Sequence, residues 1–315
     1  MNAVTVRVPA KVNLQFAVGA RGADGFHDLV TVFQAVSLYD EVSVTPADML
    51  QVSVTGDSRI GAPAVPCDPT NLAARAAIAL AAYTGRAPTV SIRIRKHIPV
   101  AGGMAGGSAD AAATLVACDL LWETGCSRAE LSAIAADLGS DVPFMLHGGT
   151  AVGRGRGHLL EPMVSSGPFH WVIAGTNRGL LTVDVYGAHS RFRAAARGRV
   201  AALPDGPTDG LRDALVTGDP KALAAEMYTD LQATALRLRP QLGRLLDFGV
   251  EQGALRGLIS GTGPSCAFLV ASADEARRLQ GRLETFEGCT RALTVYGPVG
   301  GIEVVASPVK EVCQR

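Results

Sequence analysis

Residues 4–8 and 11–18 alternate or run apolar, as a half-buried strand does, and Pro9 between them predicts a break. A turn cluster, Arg21-Gly22-Ala23-Asp24-Gly25, follows, and β-rich runs recur at 29–36, 41–45, 51–54 and 89–95. Between the last two, the alanine-rich stretch 71–83, with Leu72, Ile78 and Leu80, predicts a helix. Two further helices are expected at 108–123 and 128–138, the second capped by Ser127, with a strand starting at 150. The later part predicts strands at 171–174, 255–259, 266–270 and 292–296. Helices are expected there at 183–190, 211–216, 221–227, 239–252 and 273–286. Neither half follows a strict βαβα rhythm, so the class is α+β, with a domain boundary near residue 160.

Composition narrows the function. The 315 residues are 48% hydrophobic, enough to bury a core in each of two domains. Formal net charge is zero and no basic run exceeds two residues, which argues against nucleic acid as the main partner. Six scattered cysteines form no Cys-x-x-Cys pair and six histidines form no zinc-binding pattern, so reduced thiols in a cytoplasmic protein are expected. The N-terminal residues lack a signal-peptide apolar region, and no apolar run reaches membrane length. No protein partner is evident. Only four lysines stand against 25 arginines, which makes each lysine worth inspecting.

The segment richest in candidate chemistry reads Pro99-Val100-Ala101-Gly102-Gly103-Met104-Ala105-Gly106-Gly107-Ser108-Ala109 and runs straight into an apolar helix. Glycines let backbone approach a ligand, and Ser108 is the expected helix N-cap. Amide hydrogens and the positive end of a helix dipole would then face one concavity, as a phosphate requires. A mobile surface linker is the other reading. The segment is neither a P-loop, which needs a lysine after its last glycine, nor a dinucleotide fingerprint, which needs an acid ending a second strand.

Three more segments stand out. Lys11 and Asn13 share one face of a strand, where a lysine either meets an anion or guards a sheet edge. Asp141, in Gly139-Ser140-Asp141-Val142-Pro143-Phe144, is either a turn residue capping nearby amides or a catalytic carboxylate. The turn Gly261-Thr262-Gly263 joins two predicted strands and is either an ordinary hairpin or a loop that touches a ligand. Asp247-Phe248-Gly249 spells the kinase magnesium triplet without a catalytic loop before it, and reads as structural.

In order and spacing, residues 9–13, 99–112 and 261–268 resemble the three motifs of the GHMP kinases (galactokinase, homoserine, mevalonate and phosphomevalonate kinases). Within them the resemblance is strongest to kinases of 4-diphosphocytidyl-2-C-methyl-D-erythritol, which serve non-mevalonate isoprenoid synthesis. It is carried by Pro9-Ala10-Lys11-Val12-Asn13-Leu14, the run from Arg21 to His27, and the Asp141 segment, and it spans about residues 5 to 300.

The resemblance implies an ATP-binding domain over 1–160, a substrate domain over 161–315 and an active site in the cleft between them. Lys11 and Asp141 match the catalytic pair. The glycine loop would wrap the triphosphate of ATP, with Ser108 close to phosphate oxygens or Mg²⁺, and Asn71 and Lys96 near the adenosine. Asn13, Phe26, His27, Thr182 and Tyr186 match positions that hold the cytidine diphosphate end of the acceptor. Phe26 and Tyr186 would stack on the base, and His27 would read its edge with backbone and side chain.

Departures from the pattern are Phe26 for a usual tyrosine, Met104 for leucine, Ala105 for glycine and Ala109 for serine. Ala105 resists a positive φ, which bears on the loop's shape. No glutamate stands out as a metal ligand, so phosphates and water would hold Mg²⁺. Two alternatives stay open: a sister kinase of homoserine or a mevalonate derivative, and a catalytically silent nucleotide-binding protein.

Overall fold

The computed structural model describes residues 3–23, 25–176, 179–195 and 202–306. The first lobe is built from β1 (Val4–Arg21), β2 (His27–Pro46), β3 (Gln51–Gly56), α1 (Leu72–Tyr83), β4 (Val90–Lys96), α2 (Gly106–Trp122), α3 (Arg128–Leu138), α4 (Val142–His147), β5 (Thr150–Arg154) and β6 (Leu159–Pro162). The chain continues through β7 (Phe169–Thr176), α5 (Thr182–Ala195), α6 (Asp209–Thr217), α7 (Pro220–Glu226), β8 (Tyr228–Thr229), α8 (Gln232–Leu238) and α9 (Gln241–Glu251). It ends with β9 (Arg256–Ile259), β10 (Cys266–Val270), α10 (Ala273–Leu283), β11 (Cys289–Gly297) and β12 (Glu303–Ala306).

Two sheets organise the molecule. The larger runs β12-β1-β2-β4-β3, with β5 on β2, β6 on β5 and β8 on β1. The smaller, β11-β7-β10-β9, is antiparallel throughout. The architecture is therefore α+β, with β8 and β12 returning from late in the chain to the first sheet.

Helix α2 is buried through Ala109, Ala111, Ala112, Ala113, Leu115, Ala117 and Cys118, and it packs on α1, β1 and β2. Small side chains let these backbones approach closely, which explains an alanine-rich helix in a core position. The second core joins Leu242, Leu245 and Leu246 of α9, Leu279 and Leu283 of α10, and Phe268 of β10. Gly249 belongs to that core: a Cβ there would lie 2.2 Å from the Phe268 ring, so Asp247-Phe248-Gly249 is structural.

Several expectations need correction. Pro9 does not break the first strand; β1 passes through it with a register shift at Pro9/Ala10, where a residue without an N–H is tolerated. The two runs 29–36 and 41–45 are one strand, β2. Residues 142–147 form a short helix whose second residue is Pro143, a position that needs no N–H, rather than a plain turn. The pattern did not show β6, α8 or β12, all short elements.

Candidate active site

A cavity of about 1130 Å³ opens between the two lobes. Its walls include Lys11 and Asn13 from β1, the glycine loop and start of α2, Asp141 before α4, Tyr186 of α5, and the Gly261-Thr262 turn. The volume exceeds the usual range for one small ligand, up to about 1,000 Å³, and suits two ligands meeting.

The glycine loop lies along one wall. Helix α2 begins at Gly106, so Ser108 sits inside its first turn and not at the cap. The cap position belongs to Ala105 with φ +60°, and no side chain there bonds the helix amides. Ala101 is likewise left-handed, at φ +51°. These are conformations that cost an alanine free energy, and such strain collects at ligand clamps. An uncapped 17-residue helix faces the cavity with Gly106 and Gly107 first, leaving backbone donors for an anion.

Gly103 fixes the loop's approach to the other lobe. A Cβ on it would fall 1.8 Å from the Ser260 carbonyl oxygen. Its own carbonyl accepts from Lys11 Nζ at 2.9 Å and from Ser260 Oγ at 3.1 Å. The Gly261-Thr262-Gly263 turn does join β9 to β10 as a hairpin, and it also packs against the glycine loop and Lys11.

Lys11 pairs with Ala35 of β2 on one side, its backbone N–H donates to the Met104 carbonyl of the glycine loop on the other, and the residue is buried, so it guards no open edge. Its ammonium, 3% exposed, donates to Asn13 Oδ1 at 2.8 Å and lies 3.8 Å from Asp141 Oδ2. The Phe33 ring, which the sequence did not flag, sits 5.7 Å beneath it. Burial holds the Lys11 pKa below the ordinary lysine value, and the Asp141 charge opposes that shift. Asp141 occupies the N-cap position of α4, yet its carboxylate makes no capping bond, and its side chain is 33% exposed. Asn13 orients Lys11, because its Nδ2 donates to Thr31 Oγ1 at 2.8 Å while its Oδ1 holds the ammonium.

Along another wall, Asn71 caps α1 by accepting from Ala73 N at 2.8 Å and donates to the Pro66 carbonyl at 2.7 Å. Lys96 lines the cavity, but its ammonium is clamped by Asp40 and, at 2.7 Å, by Asp110. Burial acts to lower Lys96, but Asp110 and Asp40 together raise it above the ordinary value. Burial pushes the Asp110 carboxyl up to about 7 against the pull of Lys96. Sequence reasoning missed both carboxylates. Asp110, a charge in an alanine helix, was the available signal.

At the opposite end lie Phe26, His27, Thr182 and Tyr186, all lining the cavity. Phe26 is half exposed, with the Arg156 guanidinium 4.9 Å over its ring. Tyr186 stacks on His27 at 5.4 Å, and burial followed by the Asp141 charge drives its phenol pKa well up. Both His27 ring nitrogens are already used, Nδ1 on the Gly19 carbonyl and Nε2 on Ser190 Oγ, each at 2.9 Å. The ring therefore holds β1 to α5, and its backbone is what remains to meet a ligand. Thr182 Oγ1 hydrogen-bonds Thr262 Oγ1 at 3.2 Å, tying α5 to the hairpin turn.

Three of the expected positions do not line the cavity. Met104 and Ala109 are fully buried in the core, and Gly263, the last residue of the turn, faces Ile259 and Leu180. The loop's exposed face is made by Pro99 to Gly103 and Ala105 to Ser108, while Met104 anchors it from beneath.

Comparison with known proteins bears on what this cavity takes. Residues 71–149 match the GHMP kinases N terminal domain, and residues 211–288 match the GHMP kinases C terminal domain. A 4-diphosphocytidyl-2-C-methyl-D-erythritol kinase of Thermobifida fusca is 52% identical over 311 residues, covering 96% of this chain and 98% of its own length. The protein of the same name from Mycolicibacterium smegmatis is 53% identical over 308 residues, 97% of this chain and 93% of its own. A crystal structure of a 4-(cytidine 5'-diphospho)-2C-methyl-D-erythritol kinase superposes with a TM-score of 0.75 at 31% identity, over 94% of this chain and 99% of that one.

Proposed function

The chain belongs to the GHMP kinases, and on that premise we propose how its cleft transfers a phosphoryl group. The protein is an ATP-dependent kinase that phosphorylates the 2-hydroxyl of 4-diphosphocytidyl-2-C-methyl-D-erythritol in non-mevalonate isoprenoid synthesis. The observation that carries the site assignment is the meeting of Lys11 and Asp141, 3.8 Å apart, in the cavity that an uncapped helix start also lines.

In this reading the amides of the glycine loop and first turn of α2 receive the triphosphate, with the Ser108 hydroxyl beside them. Asp141, free of capping duty, accepts the proton of the attacking hydroxyl. Lys11, held by Asn13 and the Gly103 carbonyl, keeps that carboxylate in place and offsets the charge of the incoming γ-phosphoryl group. Phosphoryl transfer asks mainly for alignment and charge stabilisation, so these parts suffice. Mg²⁺ would ride on the triphosphate and neutralise its charge. We place it on phosphate and water, held through the loop that grips them; among the described residues no group of three or more metal-binding side chains exists.

The acceptor's cytosine would stack on Phe26, with the His27 backbone and the Tyr186 side of α5 closing the pocket. A homoserine or mevalonate-type acceptor has no base to occupy Phe26 and its Arg156 neighbour. A silent nucleotide-binding protein would have no need of the Lys11–Asp141 pair. Five free cysteines among the described residues suit the reducing cytoplasm in which we place the enzyme. No helix is long and apolar enough to cross a membrane.

A substrate panel tests the reading. Purified protein with ATP and Mg²⁺ should phosphorylate the cytidine-bearing acceptor and leave homoserine and mevalonate untouched. The reverse pattern moves the chain to a sister activity, and loss of the metal requirement removes Mg²⁺ from the account.

A further inference from the structure

The buried cluster of Lys96, Asp40 and Asp110 touches both ends of the glycine loop. Lys96 closes β4, just before the loop begins, and Asp110 lies in α2 just after it ends. Their 2.7 Å contact spans 14 residues of sequence and closes the intervening segment into a ring. Asp40 grips the same ammonium from β2. Its second oxygen accepts the backbone N–H of His97 at 2.6 Å and of Ile98 at 2.9 Å, the first residues of the segment. A Cβ on Gly106 would lie 3.1 Å from Lys96 Nζ, so the first residue of α2 rests on the ammonium itself.

A glycine-rich loop has no side chains to choose its own conformation, and ordering it on binding costs affinity unless something has ordered it beforehand. Asp110 Oδ1 is buried without a hydrogen-bond partner, while Oδ2 accepts from Lys96. That is a costly group to keep for packing alone.

We propose that Asp110 is a positioning residue for the nucleotide: its pair with Lys96, anchored by Asp40, clasps the glycine loop in the shape that receives the triphosphate. The inference rests on the reading of that loop as the triphosphate cradle. It places the clasp's effect on nucleotide affinity and not on the acceptor.

The test measures the full-length protein and its Asp110→Ala and Asp110→Asn variants. KM is taken for ATP and for the cytidine-bearing acceptor, together with kcat and the direct Kd of a nonhydrolysable ATP analogue. Asp110→Ala should weaken ATP KM and analogue Kd by about tenfold or more, as loss of a charge-assisted hydrogen bond predicts. Its acceptor KM should stay within about twofold, a change too small to count as a lost contact. Asp110→Asn keeps an acceptor oxygen for Lys96, so its analogue Kd should weaken by only about threefold, a neutral bond replacing a charged one. An unchanged Kd in Asp110→Ala, or equal loss for both substrates, overturns the clasp. If Asp110→Ala does not fold, Asp110→Asn decides alone, and an unchanged Kd there overturns it too. Failure of the unsubstituted protein to bind the analogue would instead refute the cradle.

Discussion

Lys11 and Lys96 are both buried strand lysines facing aspartates, and they are held in opposite ways. Lys96 is gripped by two carboxylates that are themselves almost wholly buried. Lys11 meets one carboxylate at 3.8 Å, and a third of that side chain remains open to the cavity. A close, dry, doubly paired ammonium has nothing left to offer a reaction and serves to hold elements together. A loosely paired one leaves the carboxylate free to take a proton and the ammonium free to meet a phosphate. Proximity to the cavity does not distinguish them, since both line it. The tightness of the pairing does.

The sharpest break of that contrast comes from substitutions that should fail in opposite assays. Asp141→Asn is expected to lower kcat by about 10²–10⁴, the usual reach of a positioned general base. Its nucleotide affinity and unfolding midpoint should hardly move, because the carboxylate caps no helix. Lys96→Met leaves two buried carboxylates facing each other and should lose about 3–5 kcal/mol of stability, read by urea unfolding. Lys11→Met should do the reverse, losing little stability and most turnover. If Lys11→Met proves the less stable of the two lysine variants, the division between reacting and holding lysines is wrong.

The half of this contrast that we propose reacts was marked out by local sequence patterns, and the half that holds was not. Lys11, Asn13, the glycine run and Asp141 are each local patterns, recognisable from a few neighbouring residues. The Lys96 cluster joins β2, β4 and α2, and no local period reveals which strand register or helix face will bring three charges together. Local rules also misplaced details. Ser108 has the right chemistry for an N-cap, but the left-handed turn at Ala105 starts the helix three residues earlier. His27 has the right chemistry to read a base, but its ring nitrogens are consumed by Gly19 and Ser190. In the first case backbone geometry and in the second tertiary contacts, both invisible to composition, decided the outcome.

The same contrast extends to the aromatic residues at the end of the cavity we propose for the acceptor. Tyr186 is stacked on His27 and tied into the fold, while Phe26 is half exposed, with Arg156 over it. Phe26→Ala should therefore act on the acceptor, raising its KM by about tenfold, within the roughly 1–3 kcal/mol that stacking on one base contributes. ATP KM and the unfolding midpoint should stay put. A loss of stability with no change in acceptor KM would make Phe26 a packing residue.

The smallest effect probes the strain in the glycine loop. Ala105 holds φ +60° at the start of α2, a conformation that costs an L-residue roughly 1–2 kcal/mol and glycine almost nothing. Glycine also has more freedom to lose on folding, by about 0.5–1 kcal/mol, so the two terms partly cancel. Ala105→Gly is expected to gain a few tenths of a kcal/mol to about 1 kcal/mol, detectable as a small rise in unfolding midpoint. Because Lys96 and Asp110 fix the loop from below, the added freedom should change ATP KM by less than about twofold. A large rise in ATP KM would mean that the alanine itself, rather than the buried ion pairs, sets the loop's shape. Repeating Ala105→Gly in the Asp110→Ala background sharpens the point: with the clasp open, the glycine should weaken nucleotide binding by more than it does alone.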